Sequence, residues 1–275
     1  MSLSQLLRRF PRWSAAYRGY REFKHMQRPP VMTSGGFWFA GNKLMQSGTF
    51  EPEETRIVEE LLSDVDVLIN VGANIGYYCC IALQRKKQVI AFEPMPRNLE
   101  FLMKNVISNG QEDFIEVFPL ALSSRSGIAK FFGAGTGASL IQGWAGQSDE
   151  DLTLVPMSTL DTVLGNRMQG KSCLVVIDIE GAELAMLQSA CNLLSNTPRP
   201  SWLVEISVNE HQPNGILINP NLVETFKIFF DAGYEAITAN RASRSIQLQE
   251  VQQVAATGID TLQTHNFVFR FAEQE

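Results

Sequence analysis

Two segments of this chain carry residues suited to chemistry, Asp66-Val-Leu-Ile-Asn-Val-Gly-Ala-Asn-Ile-Gly-Tyr77 and Val89-Ile-Ala-Phe-Glu-Pro94. Each is an apolar run of strand length. The first ends in a glycine turn and leads into a helix; the second ends in a single carboxylate. Glu93 follows Asn70 by about 23 residues, near the roughly 20-residue offset at which open α/β sheets set an acid against a ribose. Gly72 and Gly76 are spaced G-x-x-x-G, however, and a dinucleotide fingerprint would need glycines at Asn74 and Tyr77. The turn is therefore poorly built for a pyrophosphate, and the expected ligand is a nucleoside without phosphates, of which S-adenosylmethionine is the common one. Gly72 would let the backbone approach it with no Cβ in the way. Glu93 would accept hydrogen bonds from both ribose hydroxyls.

Ligands of open α/β sheets bind beyond the carboxyl ends of the strands. That rule selects Asn70–Asn74, Glu93, Leu120–Leu122, Asp178–Glu180 and Glu205–His211. The expected cofactor contacts are Asn70, Val71, Gly72, Ala73, Asn74, Gly76, Glu93, Pro94, Ala121 and Leu122. The expected catalytic group is His211 with Asp178 and Glu205. His211 is one of three histidines and the one at a strand end, and an imidazole suits removal of a hydroxyl proton near neutral pH. Glu183 reads instead as an acid offsetting a helix dipole. Asp178, Glu205 and His211 also form an oxygen-rich set able to take Mg²⁺ or Mn²⁺, but no ligand spacing compels a metal, and none is expected.

Regular alternation positions these residues. Strands are expected at Val67–Val71, Val89–Phe92, Ile115–Phe118, Leu174–Ile177, Trp202–Ile206, Tyr234–Thr238 and Phe267–Phe271. Helices fall between them, including one from Ala182 to about Leu194 and one over Leu222–Phe230. Strands separated by helices imply a parallel, doubly wound sheet. The last two strands show no obvious apolar crossover helix, so they are expected to form an antiparallel edge hairpin, with the Gln-rich stretch between them as surface structure. Residues 127–157 break the rhythm with two short strands around a Gly/Ser-rich loop, which reads as a flap over the site.

At 275 residues, 45% hydrophobic and 19% charged, the chain suits one large α/β domain with an extension. A net charge of −6 argues against nucleic acid as a partner. The charge is uneven: residues 1–30 hold seven Lys and Arg against Glu22 alone, leaving 16 basic and 28 acidic residues for the rest. In that head Leu3, Leu6, Leu7, Phe10, Trp13, Tyr17 and Tyr20 recur at helical spacing, interrupted by Pro11. A basic amphipathic extension over residues 1–50 is thus expected ahead of a catalytic domain over 51–275. Its apolar face either packs on that domain or a second subunit, as in a homodimer, or makes peripheral contact with an anionic membrane through residues 1–30. Pro52 and the acids around it start the first helix of the domain. No stretch of 18 apolar residues and no signal peptide is evident, and Cys79, Cys80, Cys173 and Cys191 have no metal spacing. They read as four buried, reduced thiols of a cytoplasmic protein, peripheral at the inner membrane surface if the head binds lipid.

With these pieces assembled, the chain resembles the FkbM family of S-adenosylmethionine-dependent methyltransferases. The matching segments are Asn70-Val-Gly-Ala-Asn-Ile-Gly-Tyr-Tyr78, Phe92-Glu-Pro-Met-Pro-Arg-Asn98, Ala121-Leu-Ser-Ser-Arg-Ser-Gly127, Ser158-Thr-Leu-Asp161 and Ile177-Asp-Ile-Glu-Gly-Ala-Glu183, over roughly residues 45–240. The resemblance implies a Rossmann-like class I fold and transfer of a methyl group to a hydroxyl, often of a sugar, glycan or natural product. A polyketide or peptide acceptor, and a cofactor-binding relative without turnover, are the alternatives. The family usually has aspartate where this chain has Asn70, so weaker binding of the cofactor's ammonium group is expected.

Overall fold

In the computed structural model, residues 28–133, 137–147 and 152–271 are described. Among them, strands β1 (Val31–Met32) and β2 (Trp38–Phe39) and helices α1 (Lys43–Ser47) and α2 (Pro52–Leu61) lead into the main repeat. That repeat runs β3 (Val67–Val71), α3 (Tyr77–Gln84), β4 (Gln88–Phe92), α4 (Pro96–Ile107), β5 (Ile115–Phe118). The excursion β6 (Ala121–Leu122), β7 (Gly127–Phe132), β8 (Leu152–Ser158) follows, then α5 (Leu160–Leu164) and β9 (Cys173–Ile177). The chain continues through α6 (Glu183–Leu187), α7 (Cys191–Leu194), β10 (Ser201–Glu205), α8 (Leu222–Asp231) and β11 (Tyr234–Thr238), then β12 (Ser245–Ile246), α9 (Leu248–Thr257) and β13 (Asn266–Phe271).

The main sheet has the order β12-β11-β13-β10-β9-β3-β4-β5. β5, β4, β3, β9 and β10 are parallel, and β13 runs antiparallel between β10 and β11. This is the Rossmann-like class I arrangement expected from the alternation. The order reverses between β3 and β9, which places the switch-point crevice beyond their carboxyl ends. Both β3 and β9 are buried at every position, as continuous apolar strands must be when helices cover both faces. Val67, Ile69 and Val71 enter one core with Phe226, Phe229 and Phe269, while Leu68 enters the other with Leu102 and Val106.

Four expectations change. The boundary at residue 50 is not a break in the packing: Phe37, Phe39, Ala40 and Met45 lie in the second core, and Phe37 and Phe39 both meet the Tyr77 ring. Residues 1–27, which hold most of the basic head, lie outside the described residues. The helix expected over Ala182–Leu194 is two short ones, because the Ser189 hydroxyl binds the Met186 and Ser123 carbonyls and interrupts the ladder. The last two strands are antiparallel neighbours, but no simple hairpin joins them: β12 and α9 intervene, and α9 buries Val251 and Val254 from a glutamine-rich sequence. Finally, Cys79, Cys80 and Cys173 are buried thiols, whereas Cys191 is exposed.

Candidate functional site

A cleft of about 560 Å³, counted to its open mouth, lies beyond the carboxyl ends of β3, β4 and β9. Val71, Gly72, Asn74, Glu93, Pro94, Ala121, Leu122 and Asp178 line it, so seven of the ten expected cofactor contacts and one of the three expected catalytic residues meet there. Met95, Asn98, Phe131, Leu140 and Glu180 line it too. Met95 and Asn98 lie two and five positions after Glu93, and the sequence reading gave no separate signal for them. Phe131, Ala138 and Leu140, described residues within 127–157, contribute to one wall of the cleft.

Asn70, Ala73 and Gly76 do not line it. The Asn70 amide donates to the Cys79 sulfur at 3.4 Å in the core, on the side of the sheet covered by α3. The charge that Asn70 lacks is therefore not a charge removed from the cleft wall. Gly76 is needed for packing: it has φ +86°, and a Cβ there would come 3.1 Å from Leu102 of α4. Gly72 lines the cleft, but its missing Cβ serves the protein first, since a Cβ would stand 1.8 Å from the Asp178 carbonyl oxygen. The tip of β3 thereby fits under the tip of β9.

Glu93 is buried, and its carboxylate holds two loops together. Oε2 accepts the Asn74 N–H at 2.8 Å, and Oε1 accepts the Met95 N–H at 2.8 Å and the Asn98 amide at 3.2 Å. Burial raises its pKa, and these three bonds oppose the rise. A carboxylate offers about four lone-pair directions, so an acceptor position remains toward the cleft. Asn74 has φ +50°, and its buried Oδ1 has no hydrogen-bond partner among the described residues. An orphan acceptor of this kind beside an acid is a ready place for a ligand's N–H or O–H groups.

The far end of the cleft is acidic. Burial, then the carboxylates of Glu180, Glu51, Glu183 and Glu93, push Asp178 well above the ordinary carboxylate range. Glu205 is raised for the same reasons, burial first and then Asp178, Glu180, Glu51 and Glu183. Glu183 rises to about 7 through burial, although its Oε1 accepts the Gly181 N–H at 2.9 Å. Glu51, expected as a first-turn acid, sits instead at φ +40° with its carboxylate on the Tyr78 hydroxyl at 2.8 Å. Glu205 and His211 are not in the cleft wall. His211 is half exposed, with Nδ1 3.7 Å from Oε2 of Glu180 and its ring edge-on to Trp144 at 6.2 Å. Among the described residues eight non-glycines have positive φ, and five stand on the loops around this region: Glu51, Asn74, Ala145, Glu180 and His211. Such backbone persists where packing over-determines it, as at sites of function. Among the described residues no group of three or more metal-ligating side chains is placed to hold an ion.

Residues 70–236 match the Methyltransferase FkbM domain family. The hexuronic acid methyltransferase AglP of Haloferax volcanii is 30% identical over 146 residues, 53% of this chain. The match spans 59% of that relative's length. Among solved structures, methyltransferase FkbM from Methylobacillus flagellatus aligns with 80% of this chain and 50% of its own, at 16% identity and a TM-score of 0.43. A SAM-dependent methyltransferase from Agrobacterium tumefaciens aligns with 89% of this chain and 70% of its own, at 10% identity and a TM-score of 0.45. The chain belongs to the FkbM methyltransferase family.

Proposed function

We propose that this enzyme methylates a hydroxyl group of a neutral sugar, glycan or similar polyhydroxyl compound. The observation that carries the reading is the two-ended cleft: an acid and an orphan acceptor at one end, Glu93 and Asn74, and a ring of carboxylates at the other. Glu93 and Asn74 would hold the ribose and adenine edges of S-adenosylmethionine, with Leu122, Phe131 and Met95 against its apolar faces. Asp178 and Glu180 would face its cationic end, where negative charge is favourable. When bound, the cofactor supplies an electrophilic methyl group.

What remains for the chain is positioning and proton removal. Holding two reactants in line supplies much of the acceleration in such transfers. Carboxylates accept hydrogen bonds from sugar hydroxyls and so suit orientation of a polyol. His211 would take the proton of the attacking hydroxyl, with Asp178 and Glu205 binding the acceptor. The sugar class draws support from AglP, whose own acceptor is a hexuronic acid. This chain departs from that acceptor in one respect: acidic side chains surround Asp178, and they disfavour a substrate carrying its own carboxylate.

The test is transfer of labelled methyl groups to a panel of neutral glycosides and the matching glucuronides at pH 8. Neutral acceptors should be labelled at least tenfold faster. His211→Ala should abolish most of that turnover while cofactor affinity, read by calorimetry, changes less than threefold. Preferred labelling of the glucuronides would overturn the neutral-sugar assignment, and full turnover in the variant would remove His211 as the base.

A further inference from the structure

The segment 137–147 is tied to the tips of β9 and β10 by three bonds. The Ser139 hydroxyl donates to the Glu180 carbonyl at 2.6 Å, the Trp144 indole N–H donates to Oε2 of Glu180 at 2.6 Å, and the Ala145 N–H donates to the His211 carbonyl at 2.7 Å. Trp144 is buried and lies on Gly181, where a Cβ would come within 2.5 Å of its ring. Glycine at 181 therefore makes room for the indole. Glu180 thus receives two of these bonds, one on its backbone carbonyl and one on its carboxylate, which also faces His211, and its backbone is held at φ +54°.

We propose that Glu180 is a positioning residue for His211, sharing one carboxylate oxygen between the Trp144 indole and the imidazole Nδ1. This rests on the reading of His211 as the base. The indole bond fixes the carboxylate in place, so it cannot swing away into the cleft it lines. At 3.7 Å the imidazole is beyond hydrogen-bond distance, and the proposed contact closes that gap. Once closed, Nδ1 carries the proton and donates it to Glu180, leaving Nε2 as the basic nitrogen. Because Leu140 of the same segment lines the cleft, the position of that wall and the imidazole's orientation are set together. Among the described residues, the charged groups beside His211 are Glu180 from the β9 turn and Glu210 on its own loop, and Glu210 is already engaged by the Val208 and Asn209 N–H groups and by His265.

The test needs no acceptor. Nitrogen-15 spectra of the full chain labelled at histidine resolve the tautomer and titration of His211, assigned by its loss in His211→Gln. Glu180→Gln keeps the shape and an acceptor for the indole but removes the charge; Trp144→Phe removes the indole N–H and keeps the charge. The wild type should show a majority Nδ1–H tautomer. In Glu180→Gln the His211 midpoint should fall by about half a unit or more, since a neighbouring carboxylate favours the imidazolium. In Trp144→Phe it should hold or rise. A midpoint unmoved by Glu180→Gln, or a majority Nε2–H tautomer in the wild type, would overturn the proposal. Because Glu180 also lines the cleft, the spectra are recorded without cofactor, and the reading of His211 as the base fails separately, through the turnover of His211→Ala.

Discussion

Glu205 illustrates what the carboxylates at this site cost and what they report. In the folded protein its proton is held far more tightly than in the unfolded chain, because burial and four neighbouring acids oppose ionisation. A carboxyl group with a raised folded-state pKa binds more protons folded than unfolded. Its contribution to stability is therefore complete below about pH 4.5 and declines as pH rises toward the folded value. Glu183, raised to about 7, acts in the same direction. The unliganded enzyme should accordingly melt at lower temperature at pH 8.5 than at pH 5.5. Glu205→Gln should flatten that slope, raising the melting point by roughly 3 °C or more at pH 8.5 with little change at pH 5.5. Equal slopes in the two proteins would show that Glu205 is not held protonated. The places of Glu93 and Asp178 in the cleft wall were legible in the sequence because each closes or follows an apolar run, whereas His211, read the same way, lies outside that wall. Glu51 and Trp144 were not legible. Their roles depend on contacts with Tyr78, 27 positions away, and with Glu180, 36 positions away, which no local spacing encodes.

At the scale of elements, the parallel strands were legible because continuous apolar runs bounded by turns have few other solutions in a chain of this length. The errors share a cause. α9 was missed because only Val251 and Val254 of its ten residues are buried, a stripe too thin to register against so many glutamines. The N-terminal boundary was misplaced because residues 31–47 make strands of two residues and a helix of five, too short for a periodic signal. Their apolar residues nevertheless reach the main core. Asn105 ties them down: its Oδ1 accepts the Ala40 N–H at 2.7 Å, and its amide donates to the carbonyls of Ala40 and Ile75. Phe39→Ala should thus behave as a core truncation, costing about 3–5 kcal/mol in denaturant unfolding. A loss under about 1 kcal/mol would mean that this hairpin is dispensable to the folded unit.

For the whole molecule, the sheet supplies one crevice where its order reverses, and the loops from β3, β4 and β9 shape that crevice at the two ends of one cleft. Gly72 shows how closely the two halves are joined, with no room for a methyl group between the tips of β3 and β9. The cofactor end and the acidic end are therefore parts of one rigid rim. The proposed chemistry requires an adenosyl group to lie across the tips of β3 and β4. A crystal structure of the protein with S-adenosylhomocysteine measures this most directly. It should show the ribose hydroxyls within about 3.2 Å of the Glu93 carboxylate and a hydrogen bond to the orphan Oδ1 of Asn74. A ligand bound elsewhere, with Glu93 keeping only Asn74, Met95 and Asn98 as partners, would contradict it.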